Sequence, residues 1–311
     1  MEGRKLYLPR ASVLVAGFVI AGLLGLTAYF FPIFQVAATS AVSSGSLPDA
    51  LPGPTQPFTV LLLGSDDDAK FVPDRFNSQS MILVRLDPGA KRATMLSIPR
   101  DLWVPIPGHG TGKISTAFQL GGPALAVKAV ETNFRVRIDD YVWIGLKGLV
   151  NLIDRLGGVD VVVTNPVMDD FYPADVNTND PYGYNRVAVL PGAVHLDGIH
   201  ALQYVRSRHG DLRGDFARSE RQQQLLLSIK DAHLNAADLP FLASAFSGEI
   251  KTSIGLDRVR QLLALAGELG GSGITREVLM PPYTSETTIG GQDVVLPSWR
   301  LILPLVHKTF P

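Results

Sequence analysis

The chain contains no cysteine, so disulfide staples, thiolate zinc sites and a cysteine nucleophile are all excluded. That absence leaves the redox compartment open. Excess charge of either sign is also missing: 28 basic residues stand against 29 acidic ones, for a formal net charge of -1. The balance removes the usual electrostatic basis for general nucleic-acid binding or for a polybasic membrane surface, and any anion site must be local. There is no HExxH and no GxSxG pattern, and the six histidines show no metal-ligand spacing, which argues against a zinc hydrolase or a serine esterase. Gly108-His109-Gly110-Thr111-Gly112-Lys113 approaches a phosphate loop, but Ile114 stands where Ser or Thr is needed and the first glycine is misplaced. No internal repeat is present.

What the chain has is length and apolar residues. Its 311 residues, 46% of them hydrophobic, are ample for a buried core. Ala11 to Phe31 is almost wholly apolar, and no charge falls between Arg10 and Asp49. A helix of about 20 such residues spans a bilayer. Arg4, Lys5 and Arg10 precede it, so the positive-inside rule puts residues 1–10 in the cytoplasm, an anchor at 11–34 in the cell membrane as a single pass, and the rest outside the cytoplasm. A cleaved signal peptide is the rival reading, with Val36 to Ala41 as a cleavage region. The apolar run is longer than the roughly 7 to 15 residues of a typical signal sequence, which favours the uncleaved anchor. Residues 35–56, rich in Ala, Ser, Pro and Gly, read as a flexible tether to an extracytoplasmic domain at 57–311.

Within that domain, Phe58 to Leu63, Met81 to Leu86 and Ala93 to Ile98 are short apolar runs bounded by Asp, Pro and Gly. They read as three strands, the last two joined in a hairpin at Asp87-Pro88-Gly89-Ala90. Ser115 to Asn133 has helical spacing interrupted by Gly121-Gly122-Pro123; Tyr141 to Ile144 reads as a strand, Leu146 to Leu156 as a helix closed by Gly157-Gly158, and Val159 to Val163 as a buried strand. Asn165 to Arg186 is polar, aromatic and without period, and is expected to be a long loop acting as a lid. Asp197 can cap a short helix through Tyr204, and Asp215 a longer one from Phe216 to about His233. Interleaved helices and strands predict a layered α-β-α domain, an α/β fold with a mixed central sheet, preceded by the transmembrane helix.

Three segments carry chemistry. Gly64-Ser65-Asp66-Asp67-Asp68 follows the first strand, at the sheet edge where ligands bind in open α/β folds, and clustered carboxylates there suit a hard cation such as Mg²⁺. A solvated acidic turn is the alternative. In Ser97-Ile98-Pro99-Arg100-Asp101, Pro99 fixes the chain where it leaves the sheet and Arg100 projects at the same edge, for an anion or for a salt bridge to a neighbouring Asp. The third runs from Tyr204 to Gln222. If Val205 to His209 is extended, Arg206 and Arg208 share one side, while Arg218, Arg221 and Gln222 share a helix face. With Arg213 between them, five arginines then converge on a helix N-terminus, a setting for phosphate; the alternative is a basic surface face.

Leu61 to Asp66, Met95 to Asp101, Lys113-Ile114, Gly121-Gly122-Pro123, Leu156 to Val159, Leu196-Asp197-Gly198, Tyr204 to His209 and Asp215 to Gln222 follow one another in an order that resembles the LytR-CpsA-Psr family. The resemblance covers about Phe58 to Leu234. It implies an enzyme that transfers a phosphate-linked glycopolymer from a polyprenyl pyrophosphate carrier to peptidoglycan, with pyrophosphatase activity as a further option and Mg²⁺ as cofactor. On the same basis, Arg100, Arg206, Arg208 and Arg218 would bind the pyrophosphate and Gln222 would add a polar contact. Asp66 would serve the metal and the acceptor hydroxyl, with Asp68 and Gln79 beside the metal and Arg100 acting in catalysis with Asp66. Two departures touch the metal side. Asn77-Ser78-Gln79-Ser80 replaces the family's Arg-x-Asp-Thr, and Asp68 replaces its Arg. The competing functions are a non-catalytic protein that binds polyprenyl phosphate or cell wall, and a membrane-bound regulator. About ten residues before the anchor are too few for a DNA-binding module, so no nucleic-acid partner is expected.

Overall fold

Side chains alternate across a strand, and in β1 (Phe58–Ser65) this alternation divides the molecule. Leu61 and Leu63 point into a dry core, 0% and 1% exposed, whereas Leu62 lines a cavity on the opposite face. The computed structural model describes residues 56–65, 76–174, 183–208, 213–232 and most of 250–310. The expected anchor at 11–34, nearly all of the tether, and Asp66, Asp67 and Asp68 lie outside the described residues. Among the described residues no helix is long and apolar enough to cross a membrane.

Along the chain, β2 (Ser78–Asp87) and β3 (Arg92–Ser97) are followed by the small hairpin β4 (Trp103–Ile106) and β5 (Gly110–Lys113). Helix α1 (Thr116–Phe134), β6 (Asp140–Ile144), α2 (Leu146–Arg155) and β7 (Val159–Val163) come next. Two further strands, β8 (Val167–Pro173) and β9 (Tyr184–Val189), precede β10 (Gly192–Leu196), α3 (Gly198–Arg206) and α4 (Gly214–Asp231). The remainder holds β11 (Ile250–Thr252), β12 (Ile274–Val278), the hairpin β13 (Thr284–Ile289) and β14 (Gln292–Pro297), and α5 (Trp299–Thr309).

Six strands form the central sheet in the order β11-β6-β1-β2-β3-β12. β1 runs parallel to β6 and β3 parallel to β12, while β1–β2, β2–β3 and β6–β11 are antiparallel, so the sheet is mixed as expected. On one face Leu61, Leu63, Met81, Leu83 and Leu96 pack against α1 and α5 through Ala126, Val130, Phe134, Ile302 and Val306. Phe76, Phe118 and Trp143 stack there at 5.7 to 6.0 Å between ring centroids. Such pairs add roughly 0.5–1.5 kcal/mol each beyond their burial. α1 bends where the sequence interrupts it: Gly122 takes φ 64 and ψ -159 just before Pro123, a conformation closed to other residues.

The opposite face of the sheet is roofed by α2, α3 and α4. Gly198 starts α3 against α2 at a separation that a methyl group would fill, since a Cβ there would come within 2.3 Å of the Val150 carbonyl oxygen. Its N–H donates to Asp154 Oδ1 at 2.7 Å, and Asp197 caps the helix by accepting from His200 N at 2.9 Å. Two expectations fail here. Asn165 to Arg186 is no aperiodic loop, because β8 and β9 pair as an antiparallel hairpin across it, with a bulge between Asp169 and Tyr172 that breaks the alternation. Val205 to Arg208 is not extended throughout: α3 continues through Arg206, and Ser207 and Arg208 follow it outside the helix, Ser207 at φ -56 and ψ 138, while His209 lies outside the described residues.

Candidate functional site

Helix α4 is fixed to the sheet by three consecutive glutamines doing different work. Gln222 Oε1 accepts from Ser80 Oγ at 2.9 Å, tying the helix to β2. Gln223, 1% exposed, donates from Nε2 to Ser97 Oγ and to the Glu277 carbonyl, both at 2.8 Å. Gln224 donates to the Val162 carbonyl at 2.6 Å and accepts from Tyr204 Oη at 2.8 Å. Arg221 props the chain between α3 and α4, donating from Nη2 to the Ser207 carbonyl at 2.6 Å. Ser207 sits between Arg206 and Arg208, so this bond sets the backbone that carries both.

The roofed face of the sheet encloses a cavity of about 400 Å³. Its walls are apolar, with Leu62 and Ile82 from the sheet, Leu149 from α2, Leu202 from α3 and Leu225 and Leu226 from α4. Its polar lining gathers at the sheet edge where β1 and β3 end and β2 begins, in Ser65, Gln79, Ser80 and Arg100, and continues into Arg206, Arg208, Arg218 and Gln222. All the residues that the family resemblance assigns to the site and that lie within the described residues thus line one cavity. Asp66 and Asp68 are outside that set.

One carboxylate organises the arginines. Asp215 Oδ1 lies 3.0 Å from Arg208 Nε and 3.4 Å from Arg218 Nη1, and its Oδ2 is 3.9 Å from Arg100 Nε. It was expected to cap α4; instead the helix begins at Gly214, and Asp215, in the first turn, is turned toward the guanidinium groups. Arg100 also pairs with Asp101 at 3.2 Å and donates from Nη1 to Gln79 Oε1. Burial pushes the Asp101 carboxyl up, but the hydrogen bond from Lys113 and the charges of Arg100 and Lys113 outweigh it and hold the group below its ordinary value. Arg218 is 6% exposed; burial drives its pKa down, Asp215 opposes, and the like charges of Arg100 and Arg208 add to the fall, leaving it at about 10. It is therefore still a cation at neutral pH. Its Nε, like Ser65 Oγ, is buried without a hydrogen-bond partner among the described residues.

Sequence reasoning missed Asp169, which lies in the segment read as a loop. It is 2% exposed, accepts from Phe171 N at 3.0 Å and Arg208 N at 3.1 Å, and so anchors the Arg208 backbone to the β8–β9 hairpin. The alternation of buried Val187 and Val189 in β9 was the available signal for that hairpin. The expected common face of Arg218, Arg221 and Gln222 also divides. Arg218 and Gln222 line the cavity, but Arg221 turns to the other side of α4 and stacks over Tyr204 at 5.8 Å. Arg206 stacks over Tyr172 at 5.7 Å.

For a cation, the described donors fit poorly. No group of three acidic or histidine side chains converges among the described residues, and Gln79 spends its one side-chain oxygen on Arg100. Asp101 and Asp215 are paired with cations, and Asp169 with backbone N–H groups. What the arrangement does suit is an amphiphile with an apolar chain and an anionic head, because apolar walls accept hydrocarbon and guanidinium forks accept phosphate oxygens.

Comparison with known proteins agrees with that class. A family model described as the LytR_cpsA_psr family matches residues 36–291, and the chain belongs to this family. It is 36% identical to the polyisoprenyl-teichoic acid–peptidoglycan teichoic acid transferase TagV of Bacillus subtilis (strain 168), over 216 residues that make up 68% of this chain and 52% of that protein. The chain thus spans about half the length of that relative. The crystal structure of B. subtilis TagV superposes with a TM-score of 0.68 at 29% identity, covering 83% of this chain and 96% of that one. A structure of the LytR-CPS2A-psr family protein YwtF (TagT) with bound octaprenyl pyrophosphate lipid gives 0.62 at 27% identity, covering 85% and 92%.

Asp215→Asn removes the shared counter-charge from three guanidinium groups. The unliganded variant should lose about 1–3 kcal/mol of stability, discounted from the buried-pair cost because Asp215 is partly exposed. Inorganic pyrophosphate should raise the melting temperature of the variant more than that of the parent, and equal shifts in thermal unfolding would remove Asp215 from this role.

Proposed function

We propose that this chain transfers a phosphate-linked glycopolymer from a polyprenyl pyrophosphate carrier to a peptidoglycan hydroxyl. The observation that carries the reading is the single cavity in which apolar walls meet Arg100, Arg206, Arg208 and Arg218 at one edge. The polyprenyl chain lies along the leucines, and the pyrophosphate sits against the guanidinium groups. When the acceptor oxygen attacks the phosphorus that bears the glycan, the anhydride P–O bond breaks and polyprenyl phosphate leaves with the bonding electrons. Fixed cations beside the leaving oxygen stabilise charge that develops there, and do so without reorganising. The acceptor proton passes to a carboxylate, for which Asp66, next to Ser65 at the end of β1, is the candidate. The names of the relatives, transferases from polyisoprenyl-linked teichoic acid to peptidoglycan, support the same reaction class. Binding without turnover is the second reading, favoured by Gln79, whose amide is locked on Arg100.

Removing any one of Arg100, Arg206 or Arg208 as Ala should weaken octaprenyl pyrophosphate binding by roughly 1.5–3 kcal/mol, the worth of a charge-assisted hydrogen bond. Turnover of a lipid-linked donor should fall with it. Unchanged affinity in all three variants would return these residues to a structural role, and tight binding with no turnover in the parent would decide for the non-catalytic reading.

Mg²⁺ belongs to the proposal through Asp66 and Asp68, with the donor's pyrophosphate completing the oxygen set; bound there, it would neutralise phosphate charge. Gln79→Asp restores a carboxylate at the metal side. Titration with lipid pyrophosphate present should show tighter Mg²⁺ binding in this variant than in the parent, and absence of binding in both would leave catalysis to the arginines.

We also place the cavity outside the cytoplasm, behind a single-pass anchor at 11–34, because the basic residues precede the apolar run. A reporter fused after Phe310 should be active only on the extracytoplasmic side; cytoplasmic activity would remove the peptidoglycan acceptor from reach.

A further inference from the structure

Helix α4 separates two cavities of opposite character. Arg218, Gln222 and Leu225 face the apolar one, whereas Glu220, Arg221 and Gln224 face a second cavity of about 520 Å³, which β12 and the segment before β13 complete. Its volume lies in the range of small-molecule sites, but its lining is largely polar. Part of that lining is locked. Gln224 is held between Val162 and Tyr204, and Arg213 pairs with Glu220 at 2.9 Å. The rest is open: Asn165, Arg276, Glu277 and Tyr283 line the cavity, and none of their side chains has a hydrogen bond or ion pair among the described residues.

The geometry points to a saccharide site in this second cavity. The open groups offer donors from Arg276, an acceptor from Glu277 and both from Asn165 and the Tyr283 hydroxyl. Sugar hydroxyls each donate and accept, so they require such mixed groups side by side. A hydrocarbon chain would leave all four unpaired; of the charged lining, Arg213 is paired with Glu220 and Arg221 donates to the Ser207 carbonyl, which leaves Arg276 and Glu277 as one open charge of each sign, a balance that favours a neutral polar ligand over a polyanion. The tyrosine ring adds an apolar face beside a polar tip. The choice of a saccharide as ligand class rests on the glycopolymer reading of the first cavity, and its source is either the wall or the donor's glycan.

The test uses the full chain in detergent micelles, with two probes: the N-acetylglucosamine–N-acetylmuramic acid disaccharide for the wall, and a neutral hexose oligosaccharide for a donor glycan. Saturation-transfer NMR should detect binding of at least one, and the probe that binds identifies the source. Asn165→Ala and Arg276→Ala are both at exposed positions where the fold tolerates change; Arg276→Ala should weaken it at least roughly tenfold, as loss of one charged hydrogen bond does, and Asn165→Ala roughly fivefold, as loss of a neutral one does. Octaprenyl pyrophosphate binding should be unchanged in both. Failure of both probes to bind, or equal affinity in parent and variants, overturns the site. Failure of octaprenyl pyrophosphate to bind the parent would instead overturn the reading of the first cavity.

Discussion

Three guanidinium groups from three parts of the chain meet the carboxylate of Asp215, and the rest of the site depends on that meeting. Arg100 follows β3, Arg208 follows α3 and Arg218 lies within α4, so no local segment could hold them together. Like charges brought this close repel, and burial adds a desolvation cost visible in the lowered pKa of Arg218. Asp215, the carboxylate that all three share, reduces both penalties, and Asp101 adds a second counter-charge at Arg100. Among the described residues three guanidinium groups thus face two carboxylates, Asp101 and Asp215, a balance that suits the anionic headgroup of the proposed function.

The same constraint explains why α4 is tied down so heavily. Ser80 and Ser97 reach it from neighbouring strands, the Glu277 carbonyl from a third, and Asp169 holds the backbone at Arg208 from the hairpin beyond. A site that binds phosphate by fixed geometry needs such supports, because a guanidinium fork displaced by an ångström loses its bidentate contact. Next to it, the leucines of α2, α3 and α4 face the sheet across a cavity instead of closing on it. The fold therefore keeps an apolar space beside a cationic edge, an arrangement that would be wasteful in a protein without an amphiphilic ligand.

How much of this was legible in the sequence depended on distance along the chain. β1, β2 and β3 were readable because each is a short apolar run punctuated by Asp, Pro or Gly, and the break in α1 because Gly121-Gly122-Pro123 allows little else. Arg100 was readable from its position just past a strand. The β8–β9 hairpin was not: its bulge at Asp169 shifts the period, and polar residues on its open face dilute the alternation that Val187 and Val189 preserve. Asp215 looked like an ordinary helix cap because capping is local, whereas its partner Arg100 lies far back in the chain. Arg221 and Gln222 could not be assigned to different sides until α4 was docked, since adjacent helical residues differ by about a quarter turn. The cavity itself was invisible for a physical reason: a leucine stripe facing an enclosed apolar space has the same sequence pattern as one facing a filled core.

The central claim is that this cavity holds a polyprenyl chain with its phosphates on the arginine edge. The most direct measurement is mass spectrometry of lipid extracted from the full chain purified from the cells that produce it. The account predicts a polyprenyl phosphate or pyrophosphate recovered in amounts comparable to the protein. Absence of any polyprenyl species, together with failure of the purified protein to take up added octaprenyl pyrophosphate, would contradict it.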